Sequence, residues 1–236
     1  MSPNAELLEM VARALGPLKY KNVYVGGATT HLLISDPSAP GVTPTSDVDV
    51  VVDVSSAVEF SVHLGAELRK LGMKEDTSED APLCRWKIGS VTVDIMSPNA
   101  DVLGFSNRWY PTVLSHCESR TVGEVEILVI DAATFLATKI EAYNDRGRGD
   151  LLASKDIEDI IAVLDGRPEL ASELAEREEP LRHFIAHTLD SWKQEDAFAY
   201  AVEGYLQADE ERIPQLFMRI ESIISACRKS SSVQNS

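Results

Sequence analysis

Positive charge is what this chain has least of. Among its 236 residues, 22 Lys and Arg stand against 38 Asp and Glu, a formal net charge of −16. The deficit is spread along the chain: residues 1–164 carry 14 basic against 24 acidic residues, and residues 165–236 carry 8 against 14. An acidic surface repels phosphate backbones, which argues against broad DNA binding, although a local basic patch could still serve one specific RNA. Cysteine is scarce too. Cys84, Cys117 and Cys227 share no metal-ligand spacing, and their odd number argues against a disulfide framework. No apolar run is long enough to span a bilayer, and MSPNAELLEM lacks a charged-then-apolar leader pattern, so the expected partners include no membrane and the expected compartment is the cytoplasm. There are no internal repeats. With 44% hydrophobic and 25% charged residues the composition is that of an ordinary globular protein.

The hydrophobic pattern alternates between helix and strand periods. Residues 4–15 (NAELLEMVARAL) have apolar residues at helical spacing, stopped by Gly16-Pro17. NVYVGG (22–27) is a short strand running into a glycine pair, and ATTHLLI opens a helix. SDPSAPGVTPTS (35–46) holds three of the eleven prolines and reads as loop. Residues 45–54 (TSDVDVVVDV) follow as a strand, residues 57–72 as a helix closed by Gly72, and EDTSEDAP as polar loop. LCRWKIG and SVTVDIM form two strands meeting in a hairpin at Gly89-Ser90. Residues 99–120 are ambiguous, EVEILVID (124–131) is a last strand, and everything after it is helical up to the polar end SSSVQNS. This order predicts an α/β (α+β) core of about 130 residues, a mixed sheet flanked by helices, followed by a helical C-terminal part.

The strand TSDVDVVVDV poses the chemical question. Its valines at 48, 50, 52 and 54 share one face, while Asp47 and Asp49 stand side by side on the other. Two carboxylates so close repel unless something positive lies between them, and a hard divalent cation that takes oxygen ligands and substrate phosphates would serve. Gly26-Gly27 ends the preceding strand, where main chain can approach a phosphate without a side chain in the way. Asp94, in VTVDIM, sits among strand-forming apolar residues, where a carboxylate needs a partner. Lys139 and Asp156 fall in two successive helical segments joined by the loop NDRGRGDLLA, whose Arg146 and Arg148 are candidate phosphate contacts. Asp53 is read as a solvated strand-end acid, and His183 and His187 lie at metal-binding spacing without a third ligand.

Together, VYVGGATTHLL, TSDVDVVV and VTVDIM resemble the DNA polymerase β-type nucleotidyltransferase superfamily: a strand, a Gly-Gly or Gly-Ser turn, a D-x-D strand and a third carboxylate on a later strand. The stretch DAATFLATKIEAYNDRGRGDLLASKDIEDIIAVLDGR is similar to the AbiEii-type (abortive-infection, toxin–antitoxin) nucleotidyltransferase-like branch, with a lysine on one helix, an arginine-containing loop and a D-[IL]-x-D-[IL] motif on the next. The resemblance covers roughly residues 22–167 and implies a fold and a set of roles. Asp47 and Asp49 are implied Mg²⁺ ligands, with Asp94 a third ligand or a base, for one or two ions. Gly26 and Gly27 are implied to cradle the triphosphate, Lys139 and Arg146 to contact it, and Asp156 to orient Lys139 or to sit near the nucleotide; Thr29 caps or opens the helix after the turn, where its hydroxyl could also reach a phosphate. Two positions depart from the pattern: Gly27 stands where many relatives have serine, and VTPTS stands where relatives often carry an arginine before the D-x-D.

The function implied is a Mg²⁺-dependent transfer of a nucleoside monophosphate from an NTP to a hydroxyl acceptor. The acceptor is either an RNA 3′ end, as in toxin-like relatives with an antitoxin protein as partner, or a small molecule, as in antibiotic-modifying relatives. A non-catalytic nucleotide-binding protein of the same fold is the alternative from another class. The expected domains are a nucleotidyltransferase core over 1–130, a helical part over 131–228 that completes the active-site cleft, and a disordered tail over 229–236.

Overall fold

The computed structural model describes residues 2–146 and 150–229; the expected tail falls outside this range, apart from Lys229. Helix α1 (Pro3–Leu15) starts where Ser2 caps it, its hydroxyl accepting from the Ala5 N–H with Pro3 in the first turn. Strand β1 (Asn22–Val25) leads through Gly26 into a 3₁₀ turn (Gly27–Thr29) and the one-turn helix α2 (Thr30–Leu33). Strand β2 (Asp47–Val52) carries the paired carboxylates. The helix expected over 57–72 forms, but as a π-helical stretch (Glu59–Leu64) continuing into α3 (Gly65–Lys70). Strand β3 (Lys74–Glu75) is a two-residue edge, and β4 (Arg85–Ile88) and β5 (Val91–Met96) make the expected hairpin.

The ambiguous stretch 99–120 resolves into the short helices α4 (Ala100–Leu103) and α5 (Tyr110–Ser115) and into β6 (Cys117–Val122), a strand the residue pattern does not announce. In CESRTV only Val122 is buried, so the segment is extended because it pairs with β7 (Val125–Ile130) around a turn at Gly123, rather than through an apolar face of its own. Six helices follow: α6 (Ala132–Arg146), α7 (Lys155–Gly166), α8 (Leu170–Ala175), α9 (Glu179–Trp192), α10 (Asp196–Tyr205) and α11 (Arg212–Lys229).

The seven strands form one mixed sheet in the order β3-β4-β5-β2-β1-β7-β6. The β1/β7 and β2/β5 pairs are parallel and the others antiparallel. Val48, Val50, Val51 and Val52 are all fully buried, so the central strand is covered on both faces beyond its acidic end. α1 packs its Leu8, Val11 and Leu15 side among β2, β6 and β7. Contacts divide the chain into two units. The first, Met1–His31 with Thr43–Asp131, holds the sheet; the second, Leu32–Val42 with Ala132–Ser236, holds α6–α11 and takes in part of the proline-rich loop. In the second unit α6 packs on α7, α8 and α9, and α11 on α7, α8 and α9.

Candidate active site

The register of the sheet sets out the site in the first unit. Val25 of β1 pairs with Asp49 of β2, Asp49 with Asp94 of β5, and Asp94 with Arg85 of β4. Directly opposed residues on adjacent strands share a face and lie about 5 Å apart. Asp49, Asp94 and Arg85 are therefore consecutive members of one row, and Asp47 stands two positions along β2, opposite Thr92. Asp47 and Asp49 are partly buried, Asp94 is buried, and Asp53 is exposed, as a solvated strand-end acid should be.

The glycine turn abuts this row. Gly26 has φ +71° and ψ −170°, outside the range L side chains adopt readily, and a Cβ placed on it would lie 1.9 Å from Asp49 Oδ2. The Asp49 carboxylate thus occupies the space that any side chain at position 26 would need. Gly27 opens the 3₁₀ turn. Thr29 is fully buried and its hydroxyl donates to the Gly26 carbonyl at 2.8 Å, as does its N–H at 3.1 Å. It serves the site by closing the turn.

Asp47 is braced from the N-terminal side. The Thr45 hydroxyl donates to Asp47 Oδ1, and the Thr45 N–H donates to Asn4 Oδ1 at 3.0 Å. Asn4, buried in α1, also donates from Nδ2 to the Thr43 carbonyl at 3.4 Å. Its amide pairs with the extended chain much as a neighbouring strand would, fixing the approach to β2.

Asp94 has a partner that the residue pattern left unnamed. Arg85 Nε donates to Asp94 Oδ1 at 2.9 Å and Nη2 to Oδ2 at 2.8 Å, a bidentate fork. This contact, above all, holds the Arg85 pKa above its ordinary value. Neighbouring Cys84 is a buried thiol whose pKa is pushed up to about 12, chiefly by burial and then by the negative charge of Asp94, which makes it unreactive. Arg85 could have been found from the sequence: counting back from a two-residue turn at Gly89-Ser90 puts it directly opposite Asp94.

These donors fit one hard divalent cation at Asp47 and Asp49, two oxygen ligands beside a turn with no side chain in the way. A second ion shared by Asp94 fits less well, because both Asp94 oxygens face the guanidinium. Among the described residues, no group of three or more His, Cys, Asp and Glu side chains is arranged to hold a metal ion.

In the second unit, Lys139 of α6 lies 3.1 Å from Asp156 Oδ1 and 2.5 Å from Asp159 Oδ2, both on α7, with all three side chains largely buried. The D-x-x-D spacing places both acids on one face of α7, one turn apart. Asp159 joins the lysine on equal terms with Asp156. Arg146 ends α6; its side chain, and all of Arg148, lie outside what the structure describes.

No protein-family profile and no curated protein matches the chain. Among solved structures it is similar to an antigenic nucleotidyltransferase-like protein from Paracoccidioides brasiliensis, with a TM-score of 0.50, 18% sequence identity and 93% of each chain covered. The likeness is one of architecture: this chain has a nucleotidyltransferase-like fold, a mixed sheet flanked by helices with a helical C-terminal part.

Proposed function

We propose that the protein is a nucleotidyltransferase of the DNA polymerase β type, transferring a nucleoside monophosphate from an NTP to a hydroxyl acceptor. The observation that carries this reading is the in-register placement of Asp49 beside Asp94 on parallel strands, with Asp47 on the same face and Gly26 against the Asp49 carboxylate. In the reaction the acceptor oxygen bonds to the α-phosphorus, the bond to the bridging oxygen breaks and pyrophosphate leaves. A Mg²⁺ ion held by Asp47 and Asp49 would supply Lewis-acid neutralisation of the phosphate oxygens. Gly26 and Gly27 let main chain approach the triphosphate. Asp94, held in place by the Arg85 fork, accepts a hydrogen bond from the acceptor hydroxyl and orients it, and the hydroxyl proton passes to solvent. The buried positive charge at Lys139 is of the kind that phosphate neutralisation uses, with Asp156 and Asp159 orienting it.

The AbiEii-like stretch supports an RNA 3′ end as acceptor and an antitoxin protein as partner, whereas the net charge of −16 favours a small hydroxyl compound. Bidentate engagement of Asp94 favours a second reading, a nucleotide-binding protein without transfer activity.

Thermal unfolding with each NTP, with and without Mg²⁺, tests the reading. Ligand at a hundred times its dissociation constant adds about 2.7 kcal/mol of stability, a shift of several degrees. The expected result is a rise that needs both NTP and Mg²⁺ and disappears in Asp49→Ala; no rise with any nucleotide overturns the proposal. Incubation with α-labelled NTPs and either total RNA or small-molecule extracts then assigns the acceptor. Label in neither pool, despite a thermal shift, selects the non-catalytic reading.

A further inference from the structure

We propose that His183 and His187 form a two-histidine site on α9 for one imidazole-preferring divalent transition metal, with water completing the ion's shell. The site does not depend on the nucleotidyltransferase reading: the pair belongs to the second unit and the paired carboxylates to the first.

Four residues apart, the two histidines stand one turn from each other on a single face of α9. The backbone beneath them is fixed. Leu181, Ile185 and Leu189 are buried on the opposite side of α9, which packs on α6 and α11. Both imidazoles are exposed, and their rings lie side by side, with centroids 6.1 Å apart and planes within 23° of parallel. Four residues of helix rise about 6 Å, so the rings keep the spacing of their backbone rather than splaying apart. Among the described residues neither ring takes part in a hydrogen bond or ion pair, so no protein contact competes for its nitrogens. A tetrahedral ion with bonds of about 2.0–2.1 Å to imidazole holds two such nitrogens about 3.3 Å apart. Small rotations about χ1 and χ2 lean the exposed ring tips together to that spacing.

Chelation raises this pair above a single surface histidine. Once one nitrogen has bound, the helix holds the other within reach, and linkage of this kind strengthens binding by about 10²–10⁴. The donors also select the ion. Imidazole suits Zn²⁺, Ni²⁺ and Cu²⁺, whereas Mg²⁺ takes oxygen ligands and sheds water reluctantly. Asp190, one turn past His187, is engaged elsewhere, 3.0 Å from Lys193 and 2.7 Å from Arg228. The site therefore has two protein donors, in keeping with the absence of a three-residue metal cluster among the described residues. Glu179, exposed one turn before His183, adds negative charge that favours the approach of a dication.

Calorimetric titration of Ni²⁺ into the full-length protein, with Mg²⁺ in excess to fill oxygen-donor sites, tests the proposal. Wild type is expected to show a Ni²⁺ site that weakens about 100-fold in His183→Asn and likewise in His187→Asn. His63→Asn, at another exposed histidine, and Asp49→Ala are expected to leave that site unchanged. Circular dichroism melts verify that the two α9 variants, both at exposed positions, fold as wild type does. Weakening of less than about tenfold in either variant overturns the inference, because two independent imidazoles would behave so. Loss of the site in Asp49→Ala overturns it as well. No Ni²⁺ binding in wild type also overturns it, and that result needs no variant. The NTP- and Mg²⁺-dependent thermal shift is measured separately, so failure of this site and failure of the nucleotidyltransferase reading are distinguishable.

Discussion

Gly26 and Gly123 both sit at positive φ, +71° and +58°, and at both a Cβ would meet a carboxylate. The neighbours differ in what they can give. At Gly123 the obstacle is the far end of Glu9, 2.1 Å away, a flexible side chain that can swing aside. At Gly26 it is Asp49, whose Oδ2, Cγ and Cβ would lie 1.9, 2.8 and 3.0 Å away, and the last of these is fixed by the strand. Alanine at Gly123 should cost about 1–2 kcal/mol for its positive φ, and at Gly26, whose φ +71° and ψ −170° lie in a region open essentially to glycine alone, about 1–3 kcal/mol. Gly26→Ala should also abolish the Mg²⁺- and NTP-dependent thermal shift, while Gly123→Ala keeps it; urea unfolding and ligand-dependent melting measure the two effects separately. The glycine pair was legible in the sequence as a turn. That Gly26 must lack a side chain because of Asp49 was not, since the two residues meet only through the β1–β2 register.

Elements place these residues. α1 supplies Asn4, whose buried amide braces residues 43–45 ahead of β2. Asn4→Ala leaves the Thr45 N–H and Thr43 carbonyl without this partner, and should cost about 1–3 kcal/mol in urea unfolding. If the brace positions Asp47, Mn²⁺ affinity should fall as well. The helix pair α6 and α7 carries a sharper dependence. Removing Lys139 leaves Asp156 and Asp159 largely buried without their shared cation, so Lys139→Ala should destabilise by about 3–5 kcal/mol, and adding Asp156→Asn and Asp159→Asn should recover part of that. Denaturant midpoints of the single and triple variants check both. The hairpin β4–β5 was legible from Gly89-Ser90 and alternating side chains, whereas β6 was not, because its extended form depends on pairing with β7. The D-x-x-D pattern of α7 marks a shared helix face, and only the packing of α6 put a lysine against it.

For the chain as a whole, the path of residues 32–42 matters most. The chain leaves the first unit after His31, enters the second, and returns at Thr43 before reaching the paired carboxylates. Within the second unit the Gly166 carbonyl accepts from the N–H groups of Ser35 and Asp36, and Arg167 donates to the Leu33 carbonyl at 2.8 Å. Arg212 of α11 joins the segment to α7: it reaches Asp165 at 2.6 Å, Asp36 at 3.1 Å and the Ser38 carbonyl at 3.1 Å. Hydrogen bonds from Ser38, and then Arg212, lower the Asp36 pKa to about 2. The unfolded state binds that proton more readily, so the stabilisation is full above about pH 4 and is lost as pH falls through about 2. Asp36→Asn should therefore be less stable than wild type at pH 6, and the difference should shrink towards pH 2, as urea midpoints across that range will report.

Local chemistry in the sequence determined the alternation of helix and strand, the glycine turn, the acidic face of β2 and the hairpin, because propensity, side-chain period and turn residues act over a few neighbours. Tertiary structure alone decided that Asp49 and Asp94 stand in register, that the proline-rich segment joins the helical unit, and that Asp159 shares Lys139 with Asp156. Those outcomes depend on which distant segments meet, and strand order and helix packing settle that through burial of whole faces rather than through any single residue's preference.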